Sequence, residues 1–110
     1  MKISSGNKIG RKQDFPTLNI YEDLPSKYTS GVYFVQLILN KKKKKGLLFY
    51  KKNFKRIEIH LIDFNKNVYD DDIQILKLKK HRNFIERYKH LKEKQQTLEN
   101  DINQLRQFKF

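Results

Sequence analysis

The sequence contains no cysteine among its 110 residues. Disulfide bonds and thiolate metal sites are therefore excluded, and this composition is typical of a chain from a reducing compartment. The longest uncharged apolar stretch, Val32 to Leu39, is far shorter than the ~20 residues of a membrane-spanning helix. The first residues, Met1 to Gly6, lack the apolar segment of a signal peptide. We therefore expect a soluble cytoplasmic protein with no membrane partner.

Acidic residues are scarce, with 12 Asp and Glu against 25 Lys and Arg, for a formal net charge of +13. A positive field attracts phosphate-bearing ligands and nucleic acid alike. Most of the cations are lysine, and alanine and tryptophan are absent. That bias is typical of AT-rich genomes whatever the protein does, so the charge by itself is weak evidence for nucleic-acid binding.

The length allows one domain with one modest core, residues 1–110. Apolar alternation predicts strands at 15–20, 31–39, 56–64 and 73–78. Pro16 favours an edge position or a strand start for the first. We interpret Lys41 to Gly46 as a charged hairpin tip, with the return strand opening at Leu47. Many short antiparallel strands within residues 1–80 favour closure into a small barrel, which removes exposed edges.

The tail, residues 81–110, changes to a helical period. Apolar and large side chains recur in steps of three and four and predict one helical seam, which comprises Phe84, Tyr88, Leu91, Gln95, Leu98, Ile102 and Leu105. Asp101 is assigned to the polar side, off this seam. The favoured interpretation is a long amphipathic helix packed on the barrel, and the alternative is a self-associating coiled coil.

Two short segments near the amino terminus carry groups suited to phosphate and metal. Gly10 and Arg11 lie in a glycine-containing stretch whose backbone N–H groups could approach phosphate. Thr17 and Asn19, two residues apart on a strand, present a hydroxyl and an amide oxygen on one face. These are hard oxygen ligands of the kind Mg²⁺ accepts. A purely structural edge strand is the alternative.

Glu58 and His60 alternate with isoleucines in the middle of an apolar strand. A carboxylate there is costly to bury unless it is paired or lines a cleft. In a cleft, Glu58 could act as a general base for a hydroxyl nucleophile. The alternative is that both residues line the solvent side of the strand, and His60 by itself is interpreted as structural. Arg82, in the cationic run Lys79 to Arg82, could hold an anion or be simply solvated.

The order of these segments resembles the riboflavin kinase family, the kinase domain of bacterial bifunctional riboflavin kinase/FAD synthetases. The resemblance runs from about residue 6 to 108 and rests on these elements in unbroken order: Gly10-Arg11, Phe15-Pro16-Thr17-Leu18-Asn19, Leu24-Pro25, Gly31-Val32-Tyr33, Ile57 to Asn65 with its Glu-x-His-x-x-Asp-Phe pattern, Val68-Tyr69, Arg82 and Asp101-Ile102. The Phe-Pro-Thr-x-Asn element, followed by Gly-Val-Tyr and Glu-x-His-x-x-Asp-Phe, is a specific combination.

The resemblance implies a closed six-stranded antiparallel barrel of Greek-key type with a carboxy-terminal helix. It implies transfer of the γ-phosphoryl group of MgATP to the ribityl 5′-hydroxyl of riboflavin, giving FMN and ADP. By position, Glu58 matches the catalytic carboxylate, and Thr17 and Asn19 match the residues that contact Mg²⁺ and the nucleotide phosphates. Gly10 and Arg11 match the phosphate-covering loop, and Arg82 matches an arginine at the flavin end.

Several positions depart from the family pattern. Asp14 replaces a glycine, Tyr-Gly reads Tyr69-Asp70, and the segment between Gly46 and Glu58 is shortened, so one wall of the site is expected to be missing or rebuilt. The chain has no room for the nucleotidyltransferase half, so we expect no FAD synthesis, and a monomer is favoured. The alternatives are a degenerate flavin-binding relative, and a basic nucleic-acid-binding barrel using Phe49, Tyr50 and Phe54 among lysines.

Overall fold

The computed structural model describes residues 1–3, 17–62, 72–84 and 90–110. Within these ranges the chain forms five strands, a 3₁₀ turn at Lys52–Phe54 and one α-helix. The elements are β1 (Thr17–Ile20), β2 (Gly31–Leu39), β3 (Lys42–Lys51), β4 (Arg56–Leu61), β5 (Gln74–Arg82) and α1 (Leu91–Gln107). No described helix is long and apolar enough to cross a membrane.

The five strands form one antiparallel sheet in the order β1-β4-β3-β2-β5. The predicted mainly-β fold with a carboxy-terminal helix is thus confirmed. Among the described residues β1 and β5 are the edge strands and do not pair with each other, and no sixth strand is present. A closed six-stranded barrel is therefore not confirmed by these residues. The edge position of β1 agrees with the prediction from Pro16.

Alternation along the strands places the main core on one face of the sheet, the inner face. Every strand contributes to this core, which includes Leu18, Ile20, Tyr33, Val35, Leu37, Leu39, Leu48, Tyr50, Ile57, Ile59, Leu61 and Ile73. The opposite, outer face is partly covered by α1. There Ile102 and Leu105 pack against Val32, Phe34 and Leu47. Because β2 is covered on both faces, its sequence is almost continuously apolar, as buried strands require.

The hairpin between β2 and β3 is tighter than predicted. The lysine run from Lys42 to Lys45 is part of β3 and pairs with β2, so the expected charged tip at 41–46 is wrong. The turn consists of Asn40 and Lys41 alone, both with positive φ (51° and 64°). Two consecutive left-handed residues form a turn whose twist matches the flanking strands, and this geometry permits pairing up to the turn.

Lys41→Gly is expected to stabilise the protein by about 0.5–1 kcal/mol. A lysine in the left-handed region costs about 1–2 kcal/mol, which exceeds the entropic penalty of glycine. The matched control is Lys43→Gly, an exposed strand position, which should destabilise by a similar amount. Urea denaturation of both variants measures the difference, and shifts of the same sign would contradict the assigned turn.

The buried face of the helix is shorter than predicted and includes the acidic residue Asp101. Leu91 is 71% exposed and Gln95 is exposed, whereas Leu98, Ile102 and Leu105 contact the sheet. Phe84 packs on the same cluster from the segment before the helix, and Tyr88 lies outside the described residues. Asp101, predicted off the seam, is 2% exposed. It lies three residues after Leu98 and four before Leu105, so helical geometry puts it on the buried face.

Candidate active site

The outer face at β1 and β4 brings together residues that are about forty positions apart in the sequence. In the β1–β4 ladder, Thr17 lies opposite His60 and Asn19 lies opposite Glu58. Directly opposed residues in an antiparallel pair share a face, with Cβ atoms about 4.5–5.5 Å apart. The structure therefore sets four polar side chains side by side, as the alternation of the two strands separately predicts.

Asn19 supplies a buried oxygen to this group. Its Oδ1 is inaccessible to solvent and has no hydrogen-bond partner among the described residues. A buried polar atom without a partner costs free energy, so such an atom is usually explained by a ligand, an ion or a water molecule. The side chain is thus suited to contact a bound group.

His60 contacts both neighbours. Its Nδ1 lies 3.4 Å from the Oγ1 of Thr17, and its Nε2 lies 3.6 Å from the Oε1 of Glu58. Burial lowers the pKa of His60 below its usual 6.5; the carboxylate of Glu58 opposes this shift, and the ammonium of Lys94 adds to it. The lowered pKa favours the neutral imidazole at pH 7.

A cavity of about 340 Å³ opens beside Glu58 and His60. Its described lining combines apolar and cationic side chains from β3, β4, β5, α1 and the segment after β5: Phe49, Lys51, Glu58, His60, Arg82, Phe84, Lys94 and Leu98. The rings of Phe49 and Phe84 lie nearly parallel, with centroids 6.3 Å apart and planes at 29°. The volume is in the range of small-molecule sites.

Arg82 lies on the wall of this cavity, held by the helix. Its Nε and Nη2 donate to both carboxylate oxygens of Asp101, with the shortest contact 2.8 Å, and its Nη1 donates to the carbonyl oxygen of Asn83. His81 Nε2 lies 2.8 Å from the Oδ1 of the same carboxylate. The ring of His81 stacks on Phe34 at 4.4 Å between centroids. This buried network fixes the guanidinium relative to α1.

A family model described as flavokinase, riboflavin kinase, matches residues 1–109. The chain belongs to the riboflavin kinase family. The predicted resemblance is thereby confirmed, over nearly the whole chain.

Two individual proteins are similar to this chain, one in sequence and one in fold. The bifunctional riboflavin kinase/FMN adenylyltransferase of Buchnera aphidicola subsp. Schizaphis graminum (strain Sg) is 35% identical over 91 residues, covering 74% of this chain and 29% of that protein. The chain thus spans less than a third of this relative's length. A crystal structure titled macrolide-efflux protein from Streptococcus pneumoniae superposes with a TM-score of 0.72 over 93% of this chain and 36% of that one. At 20% identity, this second likeness shows the fold alone.

Riboflavin kinases generally use Mg²⁺ with ATP, and the described residues fit a magnesium ion of that kind. Thr17 Oγ1 and the unpartnered Asn19 Oδ1 are neutral hard oxygens on one face. No group of three or more His, Asp or Glu residues able to hold a metal occurs in the part of the chain that the structure describes. This donor set suits an ion that keeps most of its coordination for phosphate and water.

The shortened segment between Gly46 and Glu58 forms a closed hairpin. Pairing of β3 with β4 runs from Gly46 opposite Leu61 to Lys51 opposite Arg56, and the connection is one 3₁₀ turn ending in left-handed Lys55. Phe54 on this turn is 75% exposed. The cavity lining described above includes no residue of the turn and draws instead on β3, β4, β5 and α1. The segment thus contributes side chains from two paired strands, Phe49, Lys51 and Glu58, to the cavity wall.

The structure describes some of the residues that the sequence predicts for the site, and it adds others. Gly10 and Arg11, like Asp14, Tyr69 and Asp70, lie outside the described residues. Sequence reasoning missed the contribution of α1, through Lys94 and Leu98, and the roles of His81 and Asp101. The spacing of Asp101 from Leu98 and Leu105 was the available signal. Nothing in the sequence placed Lys94 beside Glu58.

Asp101→Asn is expected to lower the free energy of unfolding by about 3 kcal/mol, because it removes the charge of a buried carboxylate that both His81 and Arg82 contact. Chemical denaturation measures this loss. Glu99→Gln is the matched control, the same kind of change at an exposed position of α1, and should stay within about 0.5 kcal/mol. Equal effects at the two positions would show that the buried network contributes nothing of its own.

The pKa of His60, followed by NMR titration, is expected to lie below 6.5. Lys94→Gln should raise this pKa and Glu58→Gln should lower it further, because the first change removes a repelling charge and the second an attracting one. The unfolded chain takes up the proton first, so stability should fall as the pH drops below about 6.5. A normal pKa, insensitive to both variants, would contradict the burial described here.

Proposed function

We propose that the chain transfers the γ-phosphoryl group of MgATP to the ribityl 5′-hydroxyl of riboflavin, giving FMN and ADP. The acceptor oxygen forms a bond to the γ-phosphorus, the bond to the β,γ-bridging oxygen breaks, and the hydroxyl proton passes to Glu58. In the same proposal, residues 1–110 act as one kinase domain whose sheet closes into the six-stranded barrel of the family.

One observation carries the proposal: Glu58 lies in direct register with Asn19, whose buried oxygen has no described partner, and the same carboxylate lines the cavity. Asn19, which offers an oxygen to a phosphate-bound cation, is thus adjacent to Glu58, the proposed base. Glu58 in turn borders a cavity with room for an organic acceptor. Phosphoryl transfer depends mainly on such positioning and on charge neutralisation.

Glu58 is suited to act as the base. Its side chain is 35% exposed, so it is partly withdrawn from water while it remains open to the cavity. A positioned carboxylate that accepts a proton in the transition state contributes about 10²–10⁴-fold to a rate. The proposed role requires only that the ribityl hydroxyl enter the cavity beside it.

Thr17 and Asn19 are proposed to hold Mg²⁺ and the nucleotide phosphates. When bound, the ion would neutralise the charge of the phosphate oxygens. The family role of Gly10 and Arg11, covering the phosphates, is carried over as part of the proposal, since both lie outside the described residues. The lysines Lys51 and Lys94 at the cavity add a field that favours an anionic substrate.

The apolar part of the cavity is proposed to take the flavin ring. Phe49, Phe84 and Leu98 offer a surface suited to a flat aromatic group. Arg82, oriented by Asp101, places a guanidinium on the same wall and is proposed to contact the flavin. A planar guanidinium can stack on a ring or donate hydrogen bonds to its carbonyl oxygens.

The nucleic-acid alternative gains no support from the aromatic residues on which it depends. Tyr50 is fully buried in the inner core, and Phe49 faces the cavity. Of the three aromatics, Phe54 alone is exposed. Single-stranded nucleic acid requires successive exposed aromatic faces for stacking, and these three residues do not provide them.

Glu58→Gln is expected to reduce FMN formation from riboflavin, ATP and Mg²⁺ by about 10²–10⁴-fold, because the amide cannot accept the proton. Thr17→Val and Asn19→Ala should raise the Mg²⁺ concentration required and lower the rate. Chromatographic quantification of FMN measures all three, with Glu99→Gln as an exposed control of the same chemical change.

Full turnover by Glu58→Gln would refute the base assignment. Riboflavin binding, seen as fluorescence quenching, without any FMN from the unaltered chain would identify a degenerate flavin-binding relative instead. Salt-sensitive RNA binding without flavin binding would support the nucleic-acid alternative.

A further inference from the structure

His60 lies between the two residues to which the proposed reaction assigns chemistry. One ring nitrogen, Nδ1, is 3.4 Å from Thr17 Oγ1, and the other, Nε2, is 3.6 Å from Glu58 Oε1. The side chain is 22% exposed. Each nitrogen of the ring therefore faces a different member of the candidate active site.

The surroundings restrict the orientation of this ring. Phe49 meets it edge to face, with centroids 5.0 Å apart and planes at 72°. The backbone of His60 is held against β3 at Gly46, where an added Cβ would come within 2.9 Å of the His60 carbonyl oxygen. A ring packed in this way keeps both nitrogens directed at their neighbours.

The chemistry of the neighbours selects one tautomer. A carboxylate can only accept, so the tautomer that suits both neighbours carries its proton on Nε2, the nitrogen facing Glu58. In that tautomer Nδ1 is an acceptor toward which the Thr17 hydroxyl can donate. This donation leaves the oxygen lone pairs of Thr17 free to act toward a cation or a donor.

The contact to Glu58 orients this residue without neutralising it. A separation of 3.6 Å exceeds hydrogen-bond length, so the N–H group acts on the carboxylate as a dipole. A short bond from a charged donor would stabilise the carboxylate and weaken it as a base. The arrangement favours one orientation of the Glu58 carboxylate, which also lines the cavity.

We propose that His60 is a positioning residue that sets the Thr17 hydroxyl as an acceptor through Nδ1 and orients the Glu58 carboxylate through Nε2–H. This inference rests on the proposed function. In this proposal His60 alone aligns the Thr17 hydroxyl, which would hold the cation, with Glu58, the proposed base.

The kinetic test compares His60→Leu with His60→Asn in the complete chain. Leucine removes both nitrogens yet suits a site beside Phe49, so kcat should fall about 100-fold, the typical cost of misplaced catalytic groups, while KM for riboflavin changes less than about threefold. Asparagine retains an amide oxygen near the Nδ1 position, so the kcat of His60→Asn should be about tenfold higher than that of His60→Leu. A kcat for His60→Leu close to that of the unaltered chain, or no recovery with asparagine, would overturn the inference.

A second readout requires no activity. The ¹⁵N shifts of His60, assigned by comparison with His60→Leu, should show the Nε2–H tautomer at pH 8, and Thr17→Val should shift the Nδ1 resonance. The Nδ1–H tautomer would overturn the assignment. If the unaltered chain makes no FMN, the proposed reaction fails, whereas the tautomer still tests the geometry.

Leu39→Ala is the control for stability. This residue is fully buried in the inner core at the hairpin end of β2, away from the outer face. It should lower the midpoint of thermal unfolding and leave kcat unchanged well below that midpoint. A kcat loss in this variant as large as in His60→Leu would assign the effect of His60 to stability and overturn the positioning role.

Discussion

The register between β1 and β4 is the constraint on which the site depends. It sets Asn19 opposite Glu58 and Thr17 opposite His60, while Leu18 and Ile59 enter the core from the other face. A slip of one residue in either strand would move its polar side chains into the apolar interior. Burial of the alternate residues therefore enforces the register, so the same apolar pattern that stabilises the sheet also aligns the site.

The carboxy-terminal helix completes the site from the other side. Its apolar face covers β2 and β3, and its buried Asp101 binds Arg82 and His81 at the end of β5. A buried ion pair of this kind adds little net stability over an apolar contact, but it specifies one docking geometry when every partner is satisfied. The position of Arg82 on the cavity wall, and of Lys94 and Leu98 across from it, thus follows from how α1 docks.

Much of the fold was predictable because it depends on local periodicity. The bounds of β2 match the predicted strand, and the face assignments of Thr17, Asn19, Glu58 and His60 follow from alternation alone. The predicted hairpin tip at 41–46 was wrong. A run of lysines is typical of a loop, but here the lysines extend β3 because two left-handed residues close the turn tightly. Asp101 was wrongly predicted off the seam because a charged side chain favours the polar face of a helix. Its spacing from Leu98 and Leu105 places it on the buried face.

Which residues share a face can be derived from the amino-acid order, since this depends on the geometry of one strand or one helix. The amino-acid order also determined the family, since the ordered motifs are a one-dimensional signal. Tertiary structure alone decided the contacts of His60, the burial of Asp101, and the meeting of Lys94 with Glu58 at one cavity. These join elements distant in the chain, and their relative placement is set by the packing of apolar surfaces, which no local pattern encodes.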